Sequence, residues 1–478
     1  MPYPYSLSFK KSVILKEDGA DLLIMESPNS ALRVKRVSPG IRDILNTLHE
    51  TRQTEDVLCH MFSAREGSAQ TEKFWYYIQK LDDKGYICRT VFLKGHDFCT
   101  IIPVSPYFKF KEEDIDPDRK FFLSRFAYCR IHDGRMVLES PLGHAKLELG
   151  SQSAALTAEL STAASISEIS KRLDAPEAGE IHAFFTLLLN INALDEATPV
   201  DGPPAAQKTA LAQWDFHDLL FHTRSRAGRH DNPLGGTYRF LEKIDPLPAL
   251  KPKMPGKTIA LFRPDIEMLK KKDLPFTQIL ETRQSIRDYS QNSQTPLTIG
   301  QVGEFLFRSA RVKGIHNPDP ARGSYYQSTT RPSPGAGAMH GFELYPLINE
   351  CDGIDPGLYH YDPMDHEFTL VSAPTIHTEK LLDFACMASA LQYEPGILFL
   401  LAARFQRIAW KYESIAYSLM LKDLGALYQT LYLVATAMGL APCAIGAGDS
   451  DLFAHAAGLD YYIETSVGEF LLGSRQMN

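Results

Sequence analysis

Arg331-Pro332-Ser333-Pro334-Gly335-Ala336-Gly337-Ala338 runs into Phe342-Glu343-Leu344-Tyr345, a Pro/Gly-rich segment set directly ahead of a strand-like run. Proline fixes φ and removes a donor, and glycine accepts conformations other residues avoid. The backbone is therefore held irregular and can approach a flat ligand closely. Its N–H groups are then available to a ring edge or an anion. Read alone, the same letters describe an ordinary surface loop, so the neighbouring segments have to decide.

Upstream, Glu281-Thr282-Arg283-Gln284-Ser285-Ile286-Arg287-Asp288-Tyr289 groups two arginines and a hydroxyl. Arg283 and Arg287 are four apart and can share a helix or turn face. Two guanidiniums and a hydroxyl can grip a phosphate through charge-assisted hydrogen bonds. Downstream, Trp410-Lys411-Tyr412 follows the apolar run Ile397 to Ala403. Lys and Tyr transfer protons near neutral pH only where their surroundings perturb them. A Lys desolvated beside a Tyr is expected to have a lowered pKa, and a Tyr beside a Lys cation likewise. Gly425 and Gln429 share one face of the apolar helix read from Leu424 to Met438. A Gly-punctuated strand, Gly439 to Gly448, comes next, and Gly468 to Arg475 closes the chain with an arginine after a strand.

Around these segments, residues 276–478 read as an α+β or α/β domain, with strands at Phe342 to Ile348, Ile397 to Ala403 and Thr465 to Leu472. Residues 201–275 hold Pro203-Pro204, Gly235-Gly236, Pro246, Pro248, Pro252 and Pro255, and read as a Pro-rich linker. Lys270 to Lys272 reads as a solvated helix face. The first 200 residues carry an internal echo. Two short strands joined at Ser27-Pro28 precede helix-like periods at Ile41 to Leu48, Val57 to Phe62 and Phe74 to Leu81. Two more joined at Ser140-Pro141 precede Ala154 to Leu160, Ile166 to Leu173 and Ile181 to Ile191. Ser165 and Ser167 are candidate helix caps. Residues 1–97 and 98–200 therefore read as tandem winged-helix-like modules.

Charge argues against DNA for both modules. The first carries 14 basic and 13 acidic side chains and the second 10 and 15, so neither offers a basic recognition helix. A peptide-binding or structural role fits better. The whole chain of 478 residues has a formal charge of −8, which also opposes a nucleic-acid partner. Seven widely spread cysteines without a CxxC read as reduced thiols rather than a zinc site or disulfide framework. No signal-peptide pattern and no membrane-length apolar run is present, so a cytoplasmic protein without a membrane partner is expected.

Taken in order, the segments resemble the nitroreductase-like flavoproteins, and more narrowly the SagB/ThcOx-type azoline dehydrogenases. The resemblance rests on Arg-x-Ser-x-Arg at 283–287, the Pro-Ser-x-Gly loop ahead of a Glu-containing strand, and Pro356-Gly357-Leu358-Tyr359-His360-Tyr361-Asp362-Pro363. The Lys-Tyr pair followed by Gly-x-x-x-Gln, and Phe221-His222-x-x-Ser225-Arg226 ahead of the linker, add to it. It covers about residues 215–478. This sequence departs from the pattern at Gln284, where a second Arg is frequent. It departs again in the spacing of Ser333-Pro334-Gly335-Ala336-Gly337, and at Glu413, where Gly is common.

The resemblance implies an α+β fold: a C-terminal FMN-dependent nitroreductase-like domain behind two winged-helix-like, PqqD/leader-recognition-like modules. It implies a homodimer with FMN bound between the subunits. Arg283, Ser285 and Arg287 would contact the phosphate, ribityl chain and ring. Pro332, Ser333 and Gly335 would line the flavin, Gln429, Gly446 and Arg475 would complete the pocket, and no metal is expected. Lys411 and Tyr412 match the family's catalytic pair. The substrates would be thiazoline or oxazoline rings in a ribosomally made peptide whose leader docks on the front modules by strand addition. Reduced FMN would be reoxidised by dioxygen. The competing readings are an NAD(P)H-dependent nitroreductase or flavin reductase of the same fold, and a non-catalytic peptide-binding protein.

Overall fold

The computed structural model describes residues 5–27, 30–93, 95–172, 178–197, 210–290 and 294–475. Pro28, Leu173 and Pro203-Pro204, which carry part of the sequence pattern, lie outside them. The chain forms two compact units, Met1–Asn232 and Pro233–Asn478.

In the first unit the helix periods become Pro39–Glu50, Glu55–Glu66 and Thr71–Asp83, then Ser151–Glu159, Ile166–Arg172 and Ala178–Asn190. Their starts reflect local chemistry. Pro39 opens the first, a position that needs no amide donor, and Thr54 Oγ1 accepts the Val57 N–H at 3.4 Å. Ser165 and Glu168 cap each other reciprocally, at 3.2 and 3.0 Å. Ser167 is the second residue of that helix, so Ser165 alone is the cap. A seven-stranded antiparallel sheet runs through the unit in the order Gln53–Thr54, Tyr5–Phe9, Ile87–Leu93, His96–Pro103, Ala145–Leu149, Arg135–Glu139, Tyr128–His132. Position 97/98 falls inside one of its strands. Ile14–Asp18, Asp21–Ser27 and Ser30–Val34 form a separate three-stranded sheet.

The second unit is built on another seven-stranded antiparallel sheet. Its order is Thr258–Ala260, Glu367–Ser372, Gly357–Asp362, Phe342–Ile348, Ile397–Ala403, Thr465–Gly473, Ala441–Ile445. The interior strand Ile397–Ala403 shows why an unbroken apolar run was needed. Side chains alternate across a strand. Ile397, Phe399, Leu401 and Ala403 enter one core with the helices Ile299–Ser309 and Ala416–Ala437. Leu398, Leu400 and Ala402 enter a second core with Ile376–Ser389 and Ser450–Ala457. Both faces are covered, so no polar alternation survives. Lys270 to Lys272 are exposed on the short helix Ile266–Lys272. All seven cysteines are free thiols. No described helix is long and apolar enough to cross a membrane.

Candidate active site

Lys411 and Tyr412 leave the helix Phe405–Ala409 through a turn, so the rule that neighbours on a helix diverge does not apply to them. Tyr412-Glu413 is a two-residue strand paired with Gly235-Gly236, and the Tyr238 N–H donates to Lys411 O at 3.1 Å. The Lys411 ammonium then sits among three aromatic rings, 4.9 Å from Tyr412, 4.9 Å from Tyr326 and 5.5 Å from Tyr238. It donates to the Tyr326 hydroxyl at 2.8 Å.

This arrangement reverses the pKa expectation for Lys411. Burial works to lower it, but the Tyr326 hydrogen bond and the three tyrosines outweigh burial and hold it above the ordinary lysine range. Lys411 is a cation at neutral pH, not a free amine base.

The Pro/Gly loop closes against the same atoms. Gly337 has φ +58°, and a Cβ there would meet the Tyr326 and Tyr412 hydroxyls at 2.8 and 2.9 Å and Lys411 Nζ at 3.0 Å. Only glycine fits both the backbone and the space. Gly337 O accepts from the Tyr326 hydroxyl at 2.9 Å. Asp423, on the helix Ala416–Ala437, accepts the Ala336 N–H at 2.8 Å, and burial raises its pKa against that bond. A Cβ on Gly335 would meet His340 Nδ1 at 2.8 Å. Burial first, then Arg331 and Arg407, push the His340 pKa down to about 4, so this imidazole is neutral. Ser333 is buried and Pro332 half-buried in the same loop.

Arg407 ties these pieces together. It is wholly buried, and its guanidinium donates at 2.6 Å to each of three carbonyls, Leu247 O, Gln327 O and Met339 O. One side chain thus fixes the segment before the domain, the chain beside Tyr326 and the end of the Pro/Gly loop. Burial lowers its pKa to about 10, which still leaves it charged. The Trp410 indole N–H donates to Ile244 O at 2.6 Å and anchors the same leading segment.

Arg283, Ser285 and Arg287 do not share a helix. Arg283 caps the helix Phe276–Thr282, and the chain beyond it is irregular, with the Ile286 N–H bonded to Pro442 O at 2.9 Å. Ser285 meets the Tyr432 hydroxyl at 2.8 Å, and the Arg283 guanidinium lies 5.3 Å from the Tyr432 ring. Burial raises the Cys443 thiol against the pull of Arg287 and Ser285. Among the described residues no carboxylate pairs with Arg283 or Arg287, so both keep charge for an anion.

Gln429 is exposed on the helix Ala416–Ala437, one turn from exposed Gly425. Gly446 is exposed just past the strand Ala441–Ile445 and lines a pocket of 190 Å³ with Gly448, Ser466 and Glu469. A Cβ on Gly448 would collide with the Glu469 carboxylate. Burial, partly offset by Ser466, raises the Glu469 pKa to about 7. Arg475 is exposed beyond Thr465–Gly473. The structure therefore joins Lys411, Tyr412 and the Pro/Gly loop in one cluster, and Arg283, Ser285 and Arg287 in a second around Tyr432 and Cys443. Tyr238, Tyr326, Arg407, Asp423 and Glu469 are absent from the sequence-derived set. Arg407 and Glu469 had a signal, a charge set beside apolar runs at Ile408 to Trp410 and Phe470 to Leu472.

Three family models match the chain: the ThcOx helix-turn-helix domain over residues 1–112, the cyanobactin oxidase ThcOx over 121–231, and the nitroreductase family over 280–473. Together the three matches support a SagB/ThcOx-type protein with a C-terminal nitroreductase-fold domain. The nitroreductase match supports an oxidoreductase, behind an N-terminal helix-turn-helix domain. A Methanocaldococcus jannaschii protein named as a nitroreductase, MJ1384, is 26% identical over 192 residues, which cover 40% of this chain and 86% of the relative. The trifolitoxin-processing protein TfxB of Rhizobium leguminosarum bv. trifolii is 26% identical over 142 residues. That match spans 29% of this chain and 38% of TfxB. A chain of the E. coli microcin synthetase McbBCD complex with truncated pro-MccB17 bound is similar at 19% identity. It covers 57% of this chain and 95% of that one, with a TM-score of 0.32. In this ThcOx-type chain Lys411, Tyr412 and the Pro/Gly loop fall inside the nitroreductase match. Tyr238, Ile244 and Leu247, which complete their surroundings, fall between the matches.

Proposed function

We propose that this chain is an FMN-dependent dehydrogenase that oxidises thiazoline or oxazoline rings of a ribosomally made peptide to thiazoles or oxazoles. The observation that carries the reading is the convergence of Lys411 Nζ and the Tyr412 and Tyr326 hydroxyls on Gly337 of the Pro/Gly loop. The donor set suits FMN: two arginines that, among the described residues, have no carboxylate partner and can meet a phosphate, and an exposed Gly446 with open space where a Cβ would stand, able to lie against a flat ring. Arg283, Ser285, Arg287 and Arg475 would hold the polar end, and Pro332, Ser333, Gly335, Gln429 and Gly446 would line the ring. When bound, FMN supplies the acceptor for the hydride that leaves the azoline ring, with dioxygen as the final oxidant.

The remaining hydrogen leaves as a proton, and this chain's residues handle it. Lys411, held as an ammonium, does not take it. The acceptor would be the Tyr412 oxygen in its phenolate form, which becomes a hydroxyl on taking the proton, and the adjacent Lys411 charge favours that negative charge. Gln429 and Gly425 lie exposed on one helix face, which suits a homodimer whose partner covers them. The first unit would hold the leader peptide by adding it as a strand to an exposed sheet edge.

The test is an anaerobic visible spectrum of the FMN-loaded protein after addition of a thiazoline peptide. Bleaching of the oxidised flavin band is expected, and Lys411→Ala with FMN retained should slow it at least about a hundredfold. Bleaching by NAD(P)H but by no azoline peptide would make the protein a reductase. No bleaching by any donor would leave a peptide-binding scaffold.

A further inference from the structure

We infer that Tyr326 is the positioning residue of the Lys-Tyr pair: its hydroxyl accepts the Lys411 ammonium and donates to Gly337 O, tying the cation to the Pro/Gly loop. This inference rests on the dehydrogenase reading for its purpose, but not for its geometry.

The orientation comes from counting donors. A tyrosine hydroxyl has one proton and two lone pairs. Gly337 O, at 2.9 Å, is a pure acceptor and takes the proton, so a lone pair is left for Lys411 Nζ at 2.8 Å. Neither other tyrosine supplies such a bond. The Tyr412 and Tyr238 rings lie 4.9 and 5.5 Å from Nζ, which are cation–π distances without a fixed direction. The Tyr238 hydroxyl is directed to Gly323 O at 3.5 Å. Glu413, the carboxylate next in sequence, is occupied by Thr237 at 2.9 Å and Arg239 at 3.5 Å. The Tyr326 hydroxyl and the rings of Tyr238 and Tyr412 are thus the groups that face the Lys411 ammonium.

Tyr326 is itself held rigidly. Its ring is buried and packs edge-on against Trp410 at 6.3 Å, and the next carbonyl, Gln327 O, is gripped by Arg407. A flexible four-carbon side chain therefore gains a fixed end point. The raised pKa of Lys411 is consistent with that acceptor.

The experiment is Tyr326→Phe, which keeps the ring and removes only the hydroxyl. Acetic anhydride labelling across pH, mapped by mass spectrometry, reads the free-amine fraction of Lys411 without any substrate. Loss of one charge-assisted hydrogen bond should make Lys411 about tenfold more reactive at fixed pH, a shift of about one pH unit. FMN stoichiometry should stay unchanged, and the pH profile of azoline-driven flavin reduction should move in the same direction with at least about a tenfold slower rate. An unchanged Lys411 labelling profile in a folded, FMN-loaded Tyr326→Phe protein overturns the inference. A shifted profile in a protein whose native form oxidises no azoline sustains the inference and removes the dehydrogenase reading. Should Tyr326→Phe not fold, 3-fluorotyrosine at 326 keeps the shape and weakens the acceptor. A smaller shift in the same direction is then expected, and no shift overturns the inference.

Discussion

At the scale of single residues, burial and hydrogen bonding pull against each other, and the outcome differs from site to site. Lys411 is partly desolvated yet stays charged because an oriented hydroxyl and three rings face it. Glu469 lacks such help. It is 6% exposed, with its pKa raised from 4.5 to about 7 by burial against the opposing Ser466 bond. Its effect on stability therefore has a definite sign. Above pH 4.5 the unfolded chain has released a proton that the folded chain still holds, so stability falls as pH rises to about 7 and then levels. The whole effect is at most about 3 kcal/mol. Glu469→Gln is therefore expected to stabilise the protein at pH 8 by up to about that amount and hardly at all at pH 4.5. Urea unfolding at the two pH values checks it, and equal gains at both would show that Glu469 ionises normally. The letters Lys-Tyr and Pro-Ser-Pro-Gly were legible because their chemistry is unusual at that spacing. Tyr326 and Tyr238 were not, since each meets Lys411 across 85 or more residues of chain, and nothing local marks it.

At the scale of elements, periodicity was readable wherever burial is one-sided or complete. The alternation of Ile397–Ala403 between two cores is written directly in seven consecutive apolar residues. The segment 283–289 was harder, because Arg-x-Ser-x-Arg suits an i,i+4 helix pair and a non-helical chain equally well, and the helix end at Thr282 with the bond from Ile286 N–H to Pro442 O excludes the first. The loops around the site depend on one side chain. Arg407→Met would remove a desolvated charge, a gain, but would leave three buried carbonyls without their donor, each worth about 1–3 kcal/mol. The net expectation is a loss of about 2 kcal/mol or more in urea unfolding, with azoline oxidation lost even in the folded fraction. A variant of native stability and rate would mean that other donors replace the guanidinium. Arg407→Lys should not rescue, since a compact ammonium cannot span the three loops that the planar fork reaches.

For the whole molecule, composition marks the Pro-rich stretch 201–275 off from residues 276–478, whereas contacts divide the chain at 232/233. The reason is physical. Prolines suppress regular helix and strand, but they do not prevent a segment from being held by others through its carbonyls. Ile244 O, Leu247 O and Pro248 O are acceptors for Trp410, Arg407 and Arg404, and Thr258–Ala260 is the edge strand of the second sheet. A chain of residues 233–478 is expected to fold, bind FMN in one step and lose affinity for a peptide carrying its leader. A chain of 276–478 is expected to be insoluble or flavin-free, and equal FMN binding by both, measured by fluorescence titration, would show the leading segment dispensable. The pairing of Gly235-Gly236 with Tyr412-Glu413 sets a rule for engineering. A foreign recognition module can be grafted onto this chemistry only with its seam before Pro233. A seam placed where the nitroreductase match begins, near residue 280, would deliver Lys411 stripped of one wall of its cage.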